Sequence, residues 1–193
     1  MSVIRAFIAI DLSPEIQRKL EEVSKNYKSH LAKAPVRWVP VTNIHLTLKF
    51  LGDVSLSNIK ILTAMIQSAV SIHHQFEISV GGAGAFPNAH QPRVLWIGIQ
   101  APQELIAVQN GIEVATTRLG YSREERAFSP HLTLGRVSRN ATSQDRKTIS
   151  HTLEKTRIGF LGATTVEQVH LYRSHLTPEG AEYKRLFTTT LLE

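Results

Sequence analysis

The chain has 193 residues, of which 42% are hydrophobic, and it contains no cysteine. This length and composition predict a globular protein with a sizeable core, and the lack of cysteine excludes disulfides, thiolate metal sites and cysteine nucleophiles. The formal net charge of +6 favours an anionic partner through long-range attraction, although solubility alone accounts equally well for such a charge.

The first apolar stretch, residues 3–10, is predicted to be a strand. It stops at Asp11 and has no small-residue cleavage site, so the pattern is not that of a signal peptide. No segment approaches the roughly 18 apolar residues that span a bilayer. We therefore expect a cytoplasmic protein without membrane contact, and we expect it to be a monomer.

Start and stop signals of helices alternate with apolar runs along the rest of the chain. The sequence predicts, in order, a helix over 13–31, a strand over 39–51 ended by Gly52, a helix over 57–70 capped by Ser57, strands over 76–80 and 93–99, a helix over 102–120, a strand over 128–137, a helix over 142–155, and strands over 164–173 and 183–192. This order is α+β rather than a regular β-α-β alternation.

Two segments between predicted elements have a distinctive composition. Residues 33–40 are basic and carry Arg37 and Trp38, which favours equally a ligand-contacting loop with a stacking ring and a loop whose Trp38 covers the edge of the core. Residues 81–87 are rich in glycine but are not followed by the Gly-Lys-Ser/Thr of a phosphate-binding loop. We therefore predict a bulge or tight turn there.

One tetrapeptide occurs twice, as His45-Leu46-Thr47-Leu48 and again at residues 131–134. Because side chains alternate along a strand, the His and Thr of each copy share one face while the leucines enter the core. A third copy of His-Leu-Thr, at residues 175–177, runs into Pro178 and is predicted to be a strand end. The alternative is that both copies are ordinary core strands.

Two imidazoles in one cleft suit acid-base chemistry, because an unperturbed histidine titrates near pH ~6.5 and one can be neutral while the other is protonated. The hydroxyls of Thr47 and Thr133 can donate to anionic oxygens, and no carboxylate accompanies either copy. These parts fit phosphoryl transfer to water without a covalent intermediate, a cofactor or a metal. His73, His74 and His90 lack ligand spacing, so we predict no metal site.

Several stretches together resemble the two-histidine phosphoesterase superfamily, and in particular its branch of bacterial and archaeal RNA 2′,3′-cyclic phosphodiesterases, also called 2′-5′ RNA ligases. They are RAFIAI at 5–10, VRWVP at 36–40, HLTLKFLG at 45–52, FP at 86–87, RVLW at 93–96, FSP before the second motif, and residues 174–180. The resemblance implies one domain over residues 1–193, with two pseudo-symmetric lobes of antiparallel sheet, helices packed outside and a central cleft between the motif strands.

The resemblance also implies an activity and roles. RNA ends with a 2′,3′-cyclic phosphate would be hydrolysed to 2′-phosphomonoesters, with His45 as proton donor, His131 as proton acceptor, and Thr47 and Thr133 as phosphate ligands. Reversible 2′-5′ ligation would use the same site, with a 5′-hydroxyl in place of water. The residues alone do not separate donor from acceptor. Two alternatives remain: a phosphodiesterase acting on 2′-5′ oligonucleotides or other cyclic nucleotides, and a nucleotide- or RNA-binding module without turnover.

Further residues are candidates for contact with the substrate. Strand alternation places Lys49 on the face of His45 and Thr47, while its counterpart after the second motif is Gly135. Arg136 lies one residue off that face and reaches the phosphate only if Gly135 forms a bulge. The alternatives are a solvated edge lysine and a surface arginine. Besides Arg37 and Trp38, the resemblance adds four candidates: Arg5, Phe7, Phe86 and Arg93.

Overall fold

The computed structural model describes residues 2–178 and 180–193. In this part of the chain, nine strands and four α-helices follow one another in the order β1 Val3–Ile10, α1 Pro14–His30, β2 Val36–Trp38, β3 Leu46–Ser55, α2 Ile59–Val70, β4 Phe76–Phe86, β5 Val94–Gln100, α3 Gln103–Thr117, β6 His131–Val137, α4 Ser143–Lys155, β7 Phe160–Val166, β8 Gln168–Leu176 and β9 Ala181–Thr190. Short 3₁₀ turns cover Val41–Asn43 and Leu56–Asn58.

The strands form two sheets whose neighbouring strands are all antiparallel. The first sheet has the order β3-β1-β8-β9 and the second the order β2-β6-β5-β4-β7. Each sheet therefore contains one motif strand, β3 in the first and β6 in the second. The predicted α+β fold with two lobes of antiparallel sheet is confirmed.

Two helices pack against the sheet that does not contain the strand before them. α1 follows β1 of the first sheet but packs against β7 of the second, whereas α3 follows β5 of the second sheet but packs against β3 of the first. α2 packs against α3 and β9. The two lobes are thus intertwined, because each is covered in part by a helix whose preceding strand belongs to the other.

Local signals account for the helix ends. Ser13 caps α1 through a hydrogen bond of 3.4 Å that its Oγ accepts from the backbone N–H of Ile16, and Pro14 occupies the first turn. α4 begins with the predicted capping box, in which Thr142 and Asp145 each bond the other's backbone N–H. Ser57 does not cap α2, since it lies inside a 3₁₀ turn and Asn58 precedes the helix without a side-chain bond.

The core confirms the alternation predicted for both motif strands. Leu46 and Leu48 of the first copy, and Leu132 and Leu134 of the second, are buried in one hydrophobic cluster. Their burial leaves His and Thr of each copy on the opposite side. No helix among the described residues combines the length and apolar character needed to cross a bilayer.

Several predicted boundaries are wrong for identifiable reasons. β3 begins at Leu46 and continues through Gly52, which adopts φ 68° and pairs with Ala6, so that glycine does not end the strand. The glycine-rich segment is part of β4, with the predicted bulge at Gly82. The predicted strand over 164–173 is two strands that break at Glu167, and residues 36–38 form β2 rather than a loop.

Candidate active site

A cleft of about 1540 Å³ is lined by both copies of the repeated motif. His45 and Thr47 border it from the first sheet, and His131 and Thr133 from the second. The fold therefore brings together the four residues that the sequence singled out. All four side chains are half-buried, so each is held by the protein and remains accessible from the cleft.

The two histidines are oriented in the same way. Nδ1 of His45 lies 2.9 Å from the carbonyl oxygen of Asn43, and Nδ1 of His131 lies 2.7 Å from that of Ser129, in each case two residues upstream. A carbonyl oxygen only accepts, so Nδ1 donates in both rings. Nε2 is then the atom that each imidazole presents for proton transfer.

Aromatic rings enclose His45. Phe7 is stacked on it with 4.6 Å between ring centroids, and Tyr183 meets it edge-on at 5.3 Å. Burial lowers the pKa of His45, and the Asn43 carbonyl and the negative charge of Asp11 act in the opposite direction. The first imidazole thus releases its proton more readily than a solvated one.

His131 has a different neighbourhood. The ring of Phe86 meets it edge-on at 4.9 Å, and Trp96 stands behind Phe86 at 5.3 Å. His45 is instead packed against two rings, one of them face to face. The pseudo-symmetry of the motifs therefore does not extend to the surroundings of the two imidazoles.

The threonine hydroxyls border the cleft beside the imidazoles. Among the described residues, no protein group forms a hydrogen bond with Oγ1 of Thr47 or Thr133. A hydroxyl donates one hydrogen bond and accepts two, so both are available to the oxygens of an anion. Each motif thus supplies one ring nitrogen and one hydroxyl to the cleft.

Both motif strands contain a β-bulge directly after the threonine. In β3, Thr47 pairs with Ala9 and Lys49 with Ile8, which leaves Leu48 as the extra residue. In β6, Thr133 pairs with Trp96 and Gly135 with Leu95, which leaves Leu134 as the extra residue. An extra residue resets the alternation of side chains. Beyond each bulge, Phe50 in the first copy and Arg136 in the second therefore turn towards the cleft and line it.

The bulge in β6 meets the condition set for Arg136, although its extra residue is Leu134 and not Gly135. The bulge in β3 overturns the placement of Lys49 on the face of His45 and Thr47. The Lys49 side chain is only 2% exposed, and its Nζ lies 2.6 Å from Oε2 of Glu113 and donates to the Ser122 carbonyl at 2.8 Å. Lys49 borders the cleft, but its ammonium group is engaged within the protein. The alternative of a solvated edge lysine is also wrong.

The Lys49 ion pair ties the first motif to the segment that leads to the second. Glu113 lies on α3, and its neighbour Gln109 donates to Glu113 Oε1 at 3.4 Å and to the carbonyl of Leu48 at 3.5 Å. Ser122 lies in the irregular segment 121–130 that leads into β6. These contacts anchor the bulge of β3 against α3.

The other candidates lie partly in the cleft and partly outside it. Phe86, Arg93 and Arg136 line the cleft, and Phe7 lies behind His45 as a buried ring. Arg5 and Arg37 are exposed on β1 and β2 outside the cleft lining. Trp38 packs against the core, and a Cβ at Gly135 would lie 3.1 Å from its ring, so the core-covering interpretation holds for this residue.

Several residues at the site were not found from the sequence. Phe50 and Tyr183 line the cleft, and behind Phe7 the ring of Tyr172 continues the stack at 5.4 Å. Tyr172 donates to Asp11, which also binds Arg185 at 2.6 Å. Only proximity to the motif could have pointed to Phe50; the other residues are joined by tertiary contacts between distant strands.

Two further histidines lie on β8. His170 is a buried structural histidine whose Nδ1 is 2.9 Å from Oγ1 of Thr188. His175, of the third His-Leu-Thr copy, is exposed next to the last residue of β8. Neither lies in the cleft lining.

Comparison with known proteins identifies the family. The family model of LigT-like phosphoesterases matches residues 10–96 and, a second time, residues 97–183. The chain belongs to this family. Each match contains one His-Leu-Thr-Leu motif, so the internal repeat suggested by the sequence is also a repeat of the LigT-like model.

Relatives of known name cover almost the whole LigT-like chain. The RNA 2′,3′-cyclic phosphodiesterase of Methanothermobacter thermautotrophicus is 33% identical over 180 residues, which are 93% of this chain and 95% of the relative. A protein of the same name from Aquifex aeolicus is 31% identical over 185 residues, 95% of each chain. The resemblance predicted from the motifs is confirmed.

Solved structures agree with this assignment. The crystal structure of E. coli LigT complexed with 3′-AMP superposes with a TM-score of 0.79 at 27% identity, covering 100% of both chains. The protein TT0787 of Thermus thermophilus superposes with a TM-score of 0.80 at 24% identity and covers 97% of each chain, which is a likeness of fold.

Proposed function

We propose that this chain is an RNA 2′,3′-cyclic phosphodiesterase acting as a single two-histidine domain. The observation that carries the proposal is the matched pair of imidazoles in one cleft, each with Nδ1 held by a carbonyl two residues upstream. The names of the relatives support the same substrate. We also propose that it acts in the cytoplasm and as a monomer.

The reaction is one in-line displacement at phosphorus. Nε2 of His131 takes a proton from water, the water oxygen attacks phosphorus, and the bond between phosphorus and the ribose 3′-oxygen breaks. Nε2–H of His45 gives its proton to that departing oxygen, so the product carries a 2′-phosphomonoester and a 3′-hydroxyl. The two histidine roles follow from the family resemblance, since the geometry of the two rings is alike.

Thr47, Thr133 and Arg136 stabilise the negative charge that develops on the phosphate. Thr47 and Thr133 donate to its non-bridging oxygens from opposite sides of the cleft, and Arg136 adds a fixed positive charge on the second side. Positioned donors of this kind stabilise the pentacovalent arrangement without rearranging during the reaction.

A proton donor must be protonated when substrate is bound, whereas burial lowers the pKa of His45. The substrate itself supplies the compensation, because an anionic phosphate beside an imidazole favours its charged form. Once protonated, a histidine with a lowered pKa is a stronger acid than a solvated one. The bound phosphate thus keeps His45 protonated, and His45 can then give its proton to the leaving oxygen.

The same site supports ligation when a 5′-hydroxyl of a second RNA takes the place of water. His131 then removes the proton of that hydroxyl, and the product is a 2′-5′ phosphodiester. The 3′-oxygen again departs and takes its proton from His45, so hydrolysis and ligation use both histidines in the same roles.

The product of hydrolysis tests the proposal. An oligoribonucleotide ending in a 2′,3′-cyclic phosphate is incubated with the protein, and the end is identified by ³¹P NMR and by its sensitivity to phosphomonoesterase. We expect a 2′-phosphomonoester. A 3′-phosphomonoester would reverse the assignment of the leaving oxygen, and a cyclic end that persists would favour a binding module.

A further inference from the structure

The segment of residues 121–130 carries the chain from one lobe to the other and ends at His131. α3, which precedes it, packs against β3 of the first sheet, and β6, which follows it, belongs to the second sheet. The segment has no regular secondary structure, and most of its residues are exposed. Within it, the carbonyl of Ser129 accepts the hydrogen bond from Nδ1 of His131 at 2.7 Å. The position of this segment therefore sets the orientation of the second imidazole.

Few contacts hold the segment to the rest of the protein. Tyr121 and Phe128 pack against the core near its two ends. Between Ser122 and Phe128, one hydrogen bond reaches another part of the described chain: Nζ of Lys49 donates to the carbonyl of Ser122 at 2.8 Å. Lys49 thus attaches the segment to β3.

The ammonium group of Lys49 is also bound to a carboxylate. Its Nζ lies 2.6 Å from Oε2 of Glu113, and Gln109 donates to Oε1 of the same carboxylate at 3.4 Å. The side chains of Lys49 and Glu113 are only 2% and 6% exposed. Because both oxygens of Glu113 are engaged, the carboxylate is fixed and holds Nζ at the carbonyl of Ser122.

A buried ion pair is an unfavourable way to pack a helix on a strand. Two charges lose their hydration, their attraction often fails to offset that loss, and apolar residues of similar volume are as stable or more so. An apolar pair could therefore join α3 to β3, but it would offer no donor to the carbonyl of Ser122. The bond to the segment is the contact that requires Lys49.

The other motif strand makes the equivalent contact with its backbone. The N–H of Val39, in the segment that leads to His45, donates at 2.8 Å to the carbonyl of Leu134, the last residue of the second motif. Each motif strand therefore holds the segment that leads into the other motif. In β6 the bond comes from a backbone carbonyl, and in β3 it comes from the side chain of Lys49.

We propose that Lys49 and Glu113 are positioning residues for His131. The ion pair holds Ser122, and through the segment it holds the carbonyl of Ser129, so that the proton of His131 stays on Nδ1 and Nε2 is free to act as the base. The proposal rests on the proposed function and deepens it by joining the first motif strand to the histidine of the second. Neither side chain of the pair transfers a proton itself.

The test separates positioning from stability by comparing two variants. Lys49→Met leaves Glu113 without its partner, whereas Lys49→Met combined with Glu113→Leu replaces the pair with apolar side chains. We expect the double variant to melt near or above the wild type. It should still lose roughly 10- to 100-fold in kcat on cytidine 2′,3′-cyclic phosphate, because a misplacement of about 1 Å can cost about 10²-fold. KM should change little, since the base acts in the transition state.

The ring of His131 gives a direct readout in the free protein. The ¹⁵N chemical shifts of an imidazole report which nitrogen carries the proton. In both variants a smaller fraction of His131 should carry its proton on Nδ1, while His45, bound to the carbonyl of Asn43, should be unchanged. The control is Lys25→Met combined with Glu21→Leu, which removes an exposed pair of α1 and should leave kcat and both rings as in the wild type.

The outcomes decide between positioning and packing. Wild-type melting together with wild-type kcat in the double variant overturns the proposal, because the packing of Phe128 would then suffice to place Ser129. A wild-type proton distribution on His131, or an equal change in His45, also overturns it. If the double variant does not fold, Lys49→Met is measured well below its melting temperature and decides in the same way. The NMR readout needs no substrate, so it tests the positioning even if the wild type hydrolyses no cyclic phosphate and the proposed function fails.

Discussion

The ring of His45 lies face to face with the ring of Phe7, with 4.6 Å between centroids and 19° between planes. Tyr172 continues this stack beyond Phe7, and its hydroxyl donates to both carboxylate oxygens of Asp11 at 2.8 Å. Burial by these rings lowers the pKa of His45, while the negative charge of Asp11 raises it. An aromatic stack thus separates a catalytic candidate from the carboxylate that tunes it.

Replacing Asp11 should move the titration of His45. Asp11→Asn removes a charge that raises the pKa of His45 and leaves Arg185 without its carboxylate, and both changes favour the neutral imidazole. The pKa of His45 should therefore fall further, and the limb of the pH–rate profile that reports it should shift to lower pH. The shift is measured by NMR titration of the His45 ring.

A surface carboxylate provides the control for this variant. Glu21 of α1 pairs with the solvated Lys25 one turn later on the exposed surface of the helix, so Glu21→Gln should leave the titration of His45 in place. A pKa of His45 that rises in Asp11→Asn would show that burial, rather than the charge of Asp11, is what the substitution changes.

Removal of either threonine hydroxyl should weaken catalysis more than it weakens folding. Thr47→Val and Thr133→Val keep the branched shape and delete one donor to the phosphate, for which losses of about 10²–10³ in kcat are typical. Steady-state kinetics on the cyclic-phosphate RNA measure the loss. Thr165→Val, on the exposed side of β7, is the matched control and should retain wild-type kcat. Equal kcat in all three variants would show that the hydroxyls of Thr47 and Thr133 do not stabilise the phosphate during the reaction.

The buried pair of Lys49 and Glu113 should matter for stability. Lys49→Met leaves the carboxylate of Glu113 buried without its partner, which typically costs about 3–5 kcal/mol of the free energy of unfolding. Urea denaturation measures the loss, and the double variant with Glu113→Gln should lose less than the two single losses added together. Lys25→Met breaks an exposed pair and should cost less than about 1 kcal/mol. Additive losses would show that the two side chains act independently.

Activity should persist in excess chelator. Neither motif has a carboxylate within it, and among the described residues no three His, Asp or Glu side chains gather as a metal cluster. The prediction is checked by turnover in EDTA before and after dialysis. Activity that disappears and returns with a divalent ion would require a different mechanism.

The parts of the site predicted correctly from sequence follow from the two-residue period of a strand. His45 and Thr47 oppose the buried Leu46 and Leu48, and the second copy repeats this arrangement, because alternation is a local property of extended backbone. The caps at Ser13 and Thr142 were likewise predictable, since a cap is a bond between residues three apart.

The same periodicity failed where a partner strand intervened. The bulge at Leu48 is defined by the pairing of β3 with β1. Because of this bulge, Lys49 points towards Glu113 and Phe50 is exposed. Tyr183 reaches His45 from β9, a strand distant in sequence. β2 is only three residues long, and its pairing with β6 leaves no periodic pattern to recognise.

The central claim is that His45 and His131 carry out the proton transfers, and it is tested most directly by kcat on an RNA ending in a 2′,3′-cyclic phosphate. His45→Ala and His131→Ala should each lower kcat by about 10²–10⁴-fold, the usual contribution of a general acid or base, while thermal melting shows a folded protein. His175→Ala removes the exposed histidine of the third His-Leu-Thr copy and should keep wild-type kcat. Near-wild-type turnover in either motif variant would contradict the two-histidine account.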